Sequence, residues 1–299
     1  MSRIEATVTI DYALKKAACE IERRDAMLLM RHVTGFDSSH IMLHGTDLLQ
    51  NSDEFFGYVN RLKQGEPMQY IIEEWDFMGR RFKTDKRALI PRPETELLVE
   101  RVLASFIFAR DVLAKGSNPS TAPNSSDVGV CCSGIYNGGQ VKILDLCTGS
   151  GCIAASLARA GDFHVTAADI CPHALSLAQE NGAGLDVDFI QSDLFSNIHG
   201  QFDIIVSNPP YITSAEMQAL SPTVRDHEPH LALHGGYDGL DIYRKLIPQS
   251  LNFLKPGGAL FLEIGPPSVK DLMQGFTNVQ LENDYGGLPR IVYGVKENV

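Results

Sequence analysis

The second half of the chain alternates short apolar runs with glycine turns and helical stretches, and this alternation constrains the fold most strongly. Apolar runs at 141–146, 164–168, 187–190, 202–206 and 259–264 predict buried strands. Helical stretches such as 152–160 and 172–181 lie between them. Strands that alternate with helices form mostly parallel sheets covered by helices on both faces. The sequence therefore predicts an α/β fold.

A glycine-rich turn joins the first of these strands to its helix. The turn consists of Cys147, Thr148, Gly149, Ser150 and Gly151. Glycines at such a turn let a ligand approach the backbone closely. The turn lacks the third glycine of the dinucleotide fingerprint, which predicts a nucleoside cofactor without a pyrophosphate. S-adenosylmethionine fits this pattern better than NAD.

Acidic side chains at the ends of the next two strands support a nucleoside site. Asp169 lies 18 residues after Gly151, where a carboxylate can accept hydrogen bonds from both ribose hydroxyls. Asp193 and Leu194 follow the third strand. We expect Asp193 to accept a hydrogen bond from the adenine amino group and Leu194 to lie against the ring. The alternative for Asp193 is a helix cap.

The fourth strand leads into Asn208-Pro209-Pro210-Tyr211. The prolines fix two φ angles and remove two N–H donors, and Asn208 is kept out of the helical region because it precedes a proline. We expect a rigid loop that presents the Asn208 side-chain oxygen and the Pro209 carbonyl as acceptors, with the Tyr211 ring beside them. Two acceptors suit the –NH2 group of an amide or aromatic amine.

This loop therefore predicts methylation of a planar nitrogen. Asn208, Pro209 and Tyr211 are the predicted catalytic residues, Asn208 to Tyr211 form the predicted substrate site, and Asn208 also adjoins the cofactor. An ordinary Asn-Pro turn is the alternative.

The rest of the chain predicts a second domain and a linker. Residues 1–75 predict a small bundle with helices beginning near Asp11, Asp25 and Asp53, with Asp53 as the cap of the third helix. Residues 76–93 predict a β-hairpin linker. A short strand is predicted at 70–72. Residues 94–299 form the predicted main domain, with a flexible insertion at 115–140 that is rich in Ser, Pro and Asn. Gly138-Gly139-Gln140 reads as the end of that flexible linker.

Composition narrows the classes of function. The formal net charge is −11, and an acidic body gains little from phosphate neutralisation, which disfavours broad nucleic-acid binding. The sequence contains no run of about eighteen apolar residues, so it predicts no membrane span. Its cysteines do not have the spacing of a zinc site. Six cysteines without paired spacing are typical of a reduced, cytoplasmic protein. We expect no metal.

The chain resembles the class I methyltransferases with an Asn-Pro-Pro-Tyr motif, and within them the protein-(glutamine-N5) methyltransferases of peptide chain release factors. The closer resemblance depends on these segments: Leu89-Ile90-Pro91-Arg92-Pro93-Glu94-Thr95-Glu96, Glu228-Pro229, Asp238-Gly239-Leu240, Tyr243-Arg244, Asp284-Tyr285 and Arg290-Ile291-Val292. The family often has glycine where Cys147 stands.

This resemblance implies a Rossmann-like class I methyltransferase sheet behind a small N-terminal helical domain. It implies S-adenosylmethionine on Cys147–Gly151, Asp169 and Leu194, and a glutamine on Asn208–Tyr211. The helical domain would help to dock the release factor, whose Gly-Gly-Gln loop enters the site. Two alternatives stay open: a DNA adenine-N6 methyltransferase, and a non-catalytic protein that binds release factors or ribosomes.

Overall fold

The computed structural model describes residues 8–114, 140–161 and 163–297. The chain divides into two compact units. The first comprises Met1–Glu74 and Ser221–His227, and the second comprises Trp75–Leu220 and Glu228–Val299. Apart from Gln140, the predicted insertion at 115–140 lies outside the described residues, as do Gly138 and Gly139. The described Gln140 donates a hydrogen bond of 3.0 Å to Asp186.

The first unit is helical, as predicted. Its helices are α1 (Ile10–Ala17), α2 (Arg23–Thr34), α3 (Ser38–Leu43), α4 (Ser52–Lys63), α5 (Met68–Ile72) and, later in the chain, α10 (Pro222–Arg225). Its core includes Ala13, Leu29, Met30, Phe55 and Val59, all at most 2% exposed. These residues recur at helical spacing, so each helix buries one apolar face.

Two local predictions in this unit are wrong. The strand predicted at 70–72 is part of helix α5, in which Met68, Tyr70, Ile71 and Ile72 are buried. A short apolar run does not distinguish a buried strand from a buried helix by periodicity. Asp53 does not precede α4 but lies in its first turn. There its negative charge interacts favourably with the helix dipole and stabilises the helix.

The second unit contains a seven-stranded sheet. Its strands are β3 (Val141–Leu146), β4 (Phe163–Asp169), β5 (Val187–Gln191), β6 (Phe202–Ser207), β7 (Leu254–Glu263), β8 (Phe276–Asn283) and β9 (Pro289–Lys296). The order across the sheet is β5-β4-β3-β6-β7-β9-β8. The five strands from β5 to β7 are parallel, and β9 is antiparallel to both β7 and β8. The five predicted strands are β3 to β7.

Helices cover both faces of this sheet. They are α6 (Pro93–Ala114), α7 (Cys152–Ala160), α8 (Pro172–Asn181) and α11 (Asp241–Phe253). The short helix α9 (Ser214–Ala219) follows β6 in the chain. One buried cluster joins α6 and α7 to the sheet, with Phe77 and Phe82 from the hairpin β1 (Glu74–Phe77) and β2 (Arg80–Lys83). A second joins α11 to the opposite face through Tyr243, Leu246 and Ile247. The predicted α/β fold, a mostly parallel sheet covered by helices on both faces, is confirmed.

The topology places a crevice at the centre of the sheet. The chain leaves β3 for β4 on one side and later returns to β6 on the other, so the strand order reverses beside β3. Ligands of open parallel sheets bind at this reversal, beyond the carboxyl ends of the strands. The Ser207 hydroxyl donates to the Leu146 carbonyl across that reversal, at 2.7 Å. Among the described residues, no helix combines the length and apolarity that a membrane span requires.

Candidate active site

A cavity of about 190 Å³ opens at the carboxyl ends of β3, β4, β5 and β6. The predicted site residues that line it are Cys147, Thr148, Gly149, Ser150, Asp169, Asp193, Leu194, Asn208 and Pro210. Gly151, Pro209 and Tyr211 are not among its lining residues. The structure thus brings the glycine turn and the Asn208 loop to one cavity, although they are far apart in the chain.

The glycine turn alternates left-handed and ordinary backbone conformations. Cys147, Gly149 and Gly151 have φ angles of +58°, +56° and +77°. Only glycine adopts the left-handed region without steric cost. The backbone of Cys147 is therefore held in a conformation that favours glycine. Gly151 has a packing role, because a Cβ there would lie 2.9 Å from the Ala178 Cβ of α8. This close packing explains why Gly151 is set back from the cavity.

A buried carboxylate that the sequence analysis did not single out holds this turn. Asp145 is fully buried, and its Oδ2 accepts from the Thr148 hydroxyl at 2.6 Å and from the Ala154 N–H at 3.1 Å. Burial raises the pKa of Asp145 to about 7. Asp145 therefore joins the turn to the first residues of α7.

Asp169 lies at the end of β4, beside the turn. Its two carboxylate oxygens accept from the backbone N–H groups of Gly149 and Cys171, each at 2.9 Å. Burial raises the pKa of Asp169, and those N–H groups oppose the rise. A carboxylate offers about four lone-pair directions, so two remain for a diol. The geometry suits the predicted contact with ribose.

The segment after β5 forms a turn that presents Asp193 and Leu194 to the cavity. Residues 193–197 form a bend and turns, so Asp193 does not cap a helix. The Ser192 hydroxyl donates to the Leu194 carbonyl at 2.8 Å and accepts from the Asn197 N–H at 3.0 Å. Leu194 has a φ of +47°. The buried Ser192 hydroxyl therefore fixes this strained turn.

The Asn208 loop is held by side chains from distant parts of the chain. The Asn208 Nδ2 donates to the Thr95 hydroxyl at 3.2 Å. The Tyr211 hydroxyl donates to Glu263 at 3.4 Å and accepts from Arg290 at 3.3 Å. Burial, followed by the nearby Glu263 charge, raises the pKa of Tyr211 to about 12. Tyr211 is therefore a neutral hydrogen-bond donor at neutral pH.

Three glycines pack directly on Tyr211, and the sequence analysis did not assign them a role. A Cβ at Gly235 would lie 2.6 Å from the Tyr211 Cα, and one at Gly265 would lie 2.5 Å from its ring. A Cβ at Gly239 would overlap the Tyr211 carbonyl oxygen. These distances leave no room for a side chain. Hydrogen bonds from the Ile212 N–H to Leu233 and from the Gly235 N–H to Ile212 add to this support.

Gly265→Ala should displace the Tyr211 ring. We expect a loss of about 1–3 kcal/mol in the free energy of unfolding, because overpacking a filled site forces side chains off their preferred rotamers. Urea unfolding measures this loss. Gly57→Ala is the matched control, since a Cβ at the exposed Gly57 of α4 meets nothing within 4 Å and should stabilise the helix by about 0.5–1 kcal/mol. Equal stability of the Gly265 variant and the wild type would contradict the packing role.

An ion pair anchors the wall of the cavity that precedes α6. Arg92 lines the cavity and pairs with Glu228, which also accepts a hydrogen bond from the Ile90 N–H at 3.4 Å. The Glu228 side chain is 1% exposed, whereas that of Arg92 is 33% exposed. Glu228 therefore anchors the segment from Ile90 to Arg92. The sequence analysis left the roles of both residues open.

Removing Arg92 should leave a buried carboxylate without its countercharge. We expect Arg92→Leu to lower the free energy of unfolding by about 1–3 kcal/mol, less than for a fully buried pair because Arg92 is partly solvated. The double variant Arg92→Leu with Glu228→Gln should recover most of that loss, since it removes the buried charge. Denaturant unfolding of both variants tests this, and equal stability of the single and double variants would refute the anchor.

The polar lining favours a ligand without phosphate. Arg87 binds Asp85 and Glu180, and Arg92 binds Glu228, so both lining arginines already have carboxylate partners. Within the described ranges, no group of three or more His, Cys, Asp or Glu side chains is placed to hold a metal ion. The carboxylate, the glycine turn and the apolar Leu194 fit a nucleoside.

Two family models and several curated proteins match this chain. The family model described as the Methyltransferase small domain matches residues 135–281, and the PrmC N-terminal domain matches residues 5–72. A release factor glutamine methyltransferase from Koribacter versatilis is 38% identical over 95% of this chain and 94% of its own length. One from Clostridium acetobutylicum is 33% identical over 98% of each chain.

The chain belongs to the release factor glutamine methyltransferase family. This family member is a methyltransferase, and the predicted cofactor, S-adenosylmethionine, is confirmed. The crystal structure of a protein-(glutamine-N5) methyltransferase from Alicyclobacillus acidocaldarius covers 73% of this chain and 100% of that chain, at 23% identity and a TM-score of 0.38. That likeness is too weak to add to the assignment.

Proposed function

We propose that this protein transfers a methyl group from S-adenosylmethionine to the side-chain amide nitrogen of a glutamine, in the Gly-Gly-Gln loop of peptide chain release factors. The names of its relatives support this substrate. The observation that carries the proposal is that one cavity is lined both by the nucleoside-type turn with Asp169 and by Asn208. Because release factors act in translation, we place the protein in the cytoplasm.

The residues around the turn would hold the cofactor, which supplies an electrophilic methyl group when bound. Asp169 would accept from the two ribose hydroxyls, and the left-handed Gly149 would let the cofactor approach the backbone. Asp193 would accept from the adenine amino group, with Leu194 against the ring. Cys147, Thr148 and Ser150 complete this wall.

The Asn208 loop would hold the glutamine amide. Among the described residues, no hydrogen bond uses the Asn208 Oδ1 or the Pro209 carbonyl, so both acceptors remain for the two N–H groups of an amide. An amide nitrogen is a poor nucleophile because its lone pair is delocalised. Two fixed acceptors orient it and favour the positive charge that develops during transfer.

The remaining loop residues would shape the substrate site. Pro210 lines the cavity, and its ring would bound the space for the amide. Tyr211 would keep the loop rigid through its bonds to Glu263 and Arg290, and its ring would stand beside the substrate. The helical first unit would contact the release factor outside its Gly-Gly-Gln loop.

A competition assay tests the proposed substrate. The protein is incubated with S-adenosylmethionine labelled on its methyl group, together with a release factor and unmethylated duplex DNA. We expect label on the release factor alone. The matched control is the same release factor with the glutamine of its Gly-Gly-Gln loop changed to glutamate, which should take up no label.

The alternatives predict other outcomes of that assay. A DNA adenine methyltransferase would label the DNA, and a non-catalytic binding protein would label neither substrate while still binding the release factor. Label on the glutamate variant at the rate of the unmodified factor would place the methyl group on another residue and refute the proposed site.

A further inference from the structure

We infer that Thr95 and Glu263 are positioning residues for Asn208: a buried hydrogen-bond chain from Glu263 through Thr95 determines which end of the Asn208 side-chain amide faces the cavity. This inference rests on the proposed function and deepens it, because it assigns the residues that prepare the substrate acceptor.

Three side chains from separate secondary-structure elements form the hydrogen-bond chain. Thr95 of α6 donates to Glu263 Oε2 at 2.6 Å, and Asn208 Nδ2 donates to the Thr95 hydroxyl at 3.2 Å. Glu263 is the last residue of β7, and Asn208 follows β6 directly. Thr95 and Glu263 are 3% and 1% exposed. Water therefore has little access to either group, and each must find its partner within the protein.

The single hydroxyl hydrogen of Thr95 determines the direction of both hydrogen bonds in this hydrogen-bond chain. A threonine hydroxyl has one hydrogen, and here it points to the Glu263 carboxylate. The hydroxyl can then only accept from Asn208, so Asn208 must turn its NH2 group towards Thr95. Its Oδ1 is left without a partner among the described residues. A carboxylate at the far end of the chain thus presents an acceptor to the substrate amide.

The reversed amide would lose this bond. Turning Asn208 by half a rotation would set Oδ1 against the lone pairs of the Thr95 oxygen, where no hydrogen is available. Two acceptors would then face each other at a buried position, which costs more than the loss of the hydrogen bond alone. The reversed amide would also present two donors to the two N–H groups of the substrate, which cannot accept them.

Both carboxylate oxygens of Glu263 accept hydrogen bonds. The one that does not accept from Thr95 accepts from Tyr211, which in turn accepts from Arg290. The Glu263 backbone carbonyl accepts from the buried Tyr243 hydroxyl at 2.7 Å. Glu94 is the nearby like charge that opposes ionisation, and Arg290 is the nearby positive charge that favours it. Protonated Glu263 would become a donor to Thr95.

If Glu263 donates to the Thr95 oxygen, the Thr95 hydroxyl hydrogen no longer points at Glu263 and can point at Asn208. Burial raises the pKa of Glu263 to about 7, against the opposing effects of the Thr95 hydrogen bond and Arg290. Methyl transfer should fall as the pH drops through about 7. The effect on stability has the opposite sign: the folded pKa lies above the ordinary value of 4.5, so this group stabilises the fold as the pH falls from about 7 towards 4.5.

Variants of Thr95 separate positioning from packing. Thr95→Val keeps the shape but removes the hydroxyl, and we expect kcat to fall about 10-fold to 100-fold with unchanged affinity for S-adenosylmethionine. Thr95→Ser keeps the hydroxyl and should stay within about threefold of the wild type. Ser250→Ala is the matched control, because it deletes a fully buried hydroxyl in α11 and should not change kcat.

A pH profile tests the carboxylate. We expect wild-type kcat to decline below about pH 7, and Glu263→Gln to lack that decline because glutamine does not titrate. The Glu263→Gln rate at high pH should be reduced, since an amide can donate or accept towards Thr95 and no longer fixes one polarity.

An NMR measurement tests the chain without any turnover. In protein labelled with ¹⁵N-asparagine, the Asn208 side-chain NH2 signals, assigned by their loss in Asn208→Asp, should shift with a midpoint near pH 7 and stop shifting in Thr95→Val. Titration of these signals without label on the release factor would support the chain and refute the proposed function. Signals that do not move with pH, or a Thr95→Val variant with wild-type kcat, would overturn the inference.

Discussion

Asn208→Ala should abolish methyl transfer and leave cofactor binding intact. We expect kcat to fall by about a thousandfold, because the variant removes one of the two acceptors that orient the substrate amide and favour its developing charge. The fold should be little affected, since Thr95 keeps its bond to Glu263. Steady-state transfer of labelled methyl groups to a release factor measures kcat, and calorimetry measures the affinity for S-adenosylmethionine.

The matched control for this prediction is Asn252→Ala. Asn252 is an exposed asparagine of α11, so its removal tests the general cost of losing an amide side chain. We expect wild-type kcat for this control. An Asn208→Ala enzyme that turns over at the wild-type rate would refute the role of Asn208, and one that no longer binds the cofactor would assign Asn208 to the cofactor site instead.

Asp169→Asn should weaken cofactor binding without changing the chemistry of transfer. The wild-type carboxylate already accepts from Gly149 and Cys171 and has two acceptor sites left for the ribose hydroxyls. An asparagine has one oxygen and no charge, so it cannot serve four donors. Two weakened charge-assisted bonds, at about 1.5 kcal/mol each, correspond to an affinity loss of roughly a hundredfold.

Calorimetry with S-adenosylmethionine measures this loss, and kcat at saturating cofactor should stay within about threefold of the wild type. Asp188→Asn is the control, because Asp188 is a β5 aspartate whose side chain is 66% exposed. The Asp188→Asn substitution should leave the affinity for S-adenosylmethionine unchanged. An unchanged affinity in Asp169→Asn would show that the ribose binds elsewhere.

The parts of the fold that depend on local patterns were predictable from the sequence. Apolar runs separated by glycine turns indicated strands β3 to β7, and helices α7 and α8 have their predicted bounds. Strands β8 and β9 were not predicted. Strand β8 has only one buried residue, Phe276, so its apolar pattern is weak.

The support of the candidate site was not predictable, because it depends on contacts between residues distant in the chain. Thr95 donates a hydrogen bond to Glu263, which lies 168 residues later in the chain. Thr95 accepts a hydrogen bond from Asn208, which lies 113 residues later. Nothing in the local sequence of Gly265 indicates that it packs on the ring of Tyr211. Short patterns thus indicate which side chains could carry the chemistry, whereas the fold determines which residues hold them in place.

Mass spectrometry of the methylated release factor locates the transferred methyl group. After incubation with the protein and S-adenosylmethionine, we predict the mass of one methyl group on the side chain of the Gly-Gly-Gln glutamine, and none after incubation with Asn208→Ala. A methyl group on any other residue, or the same modification made by Asn208→Ala, would contradict the account of the Asn208 loop as a clamp for a glutamine amide.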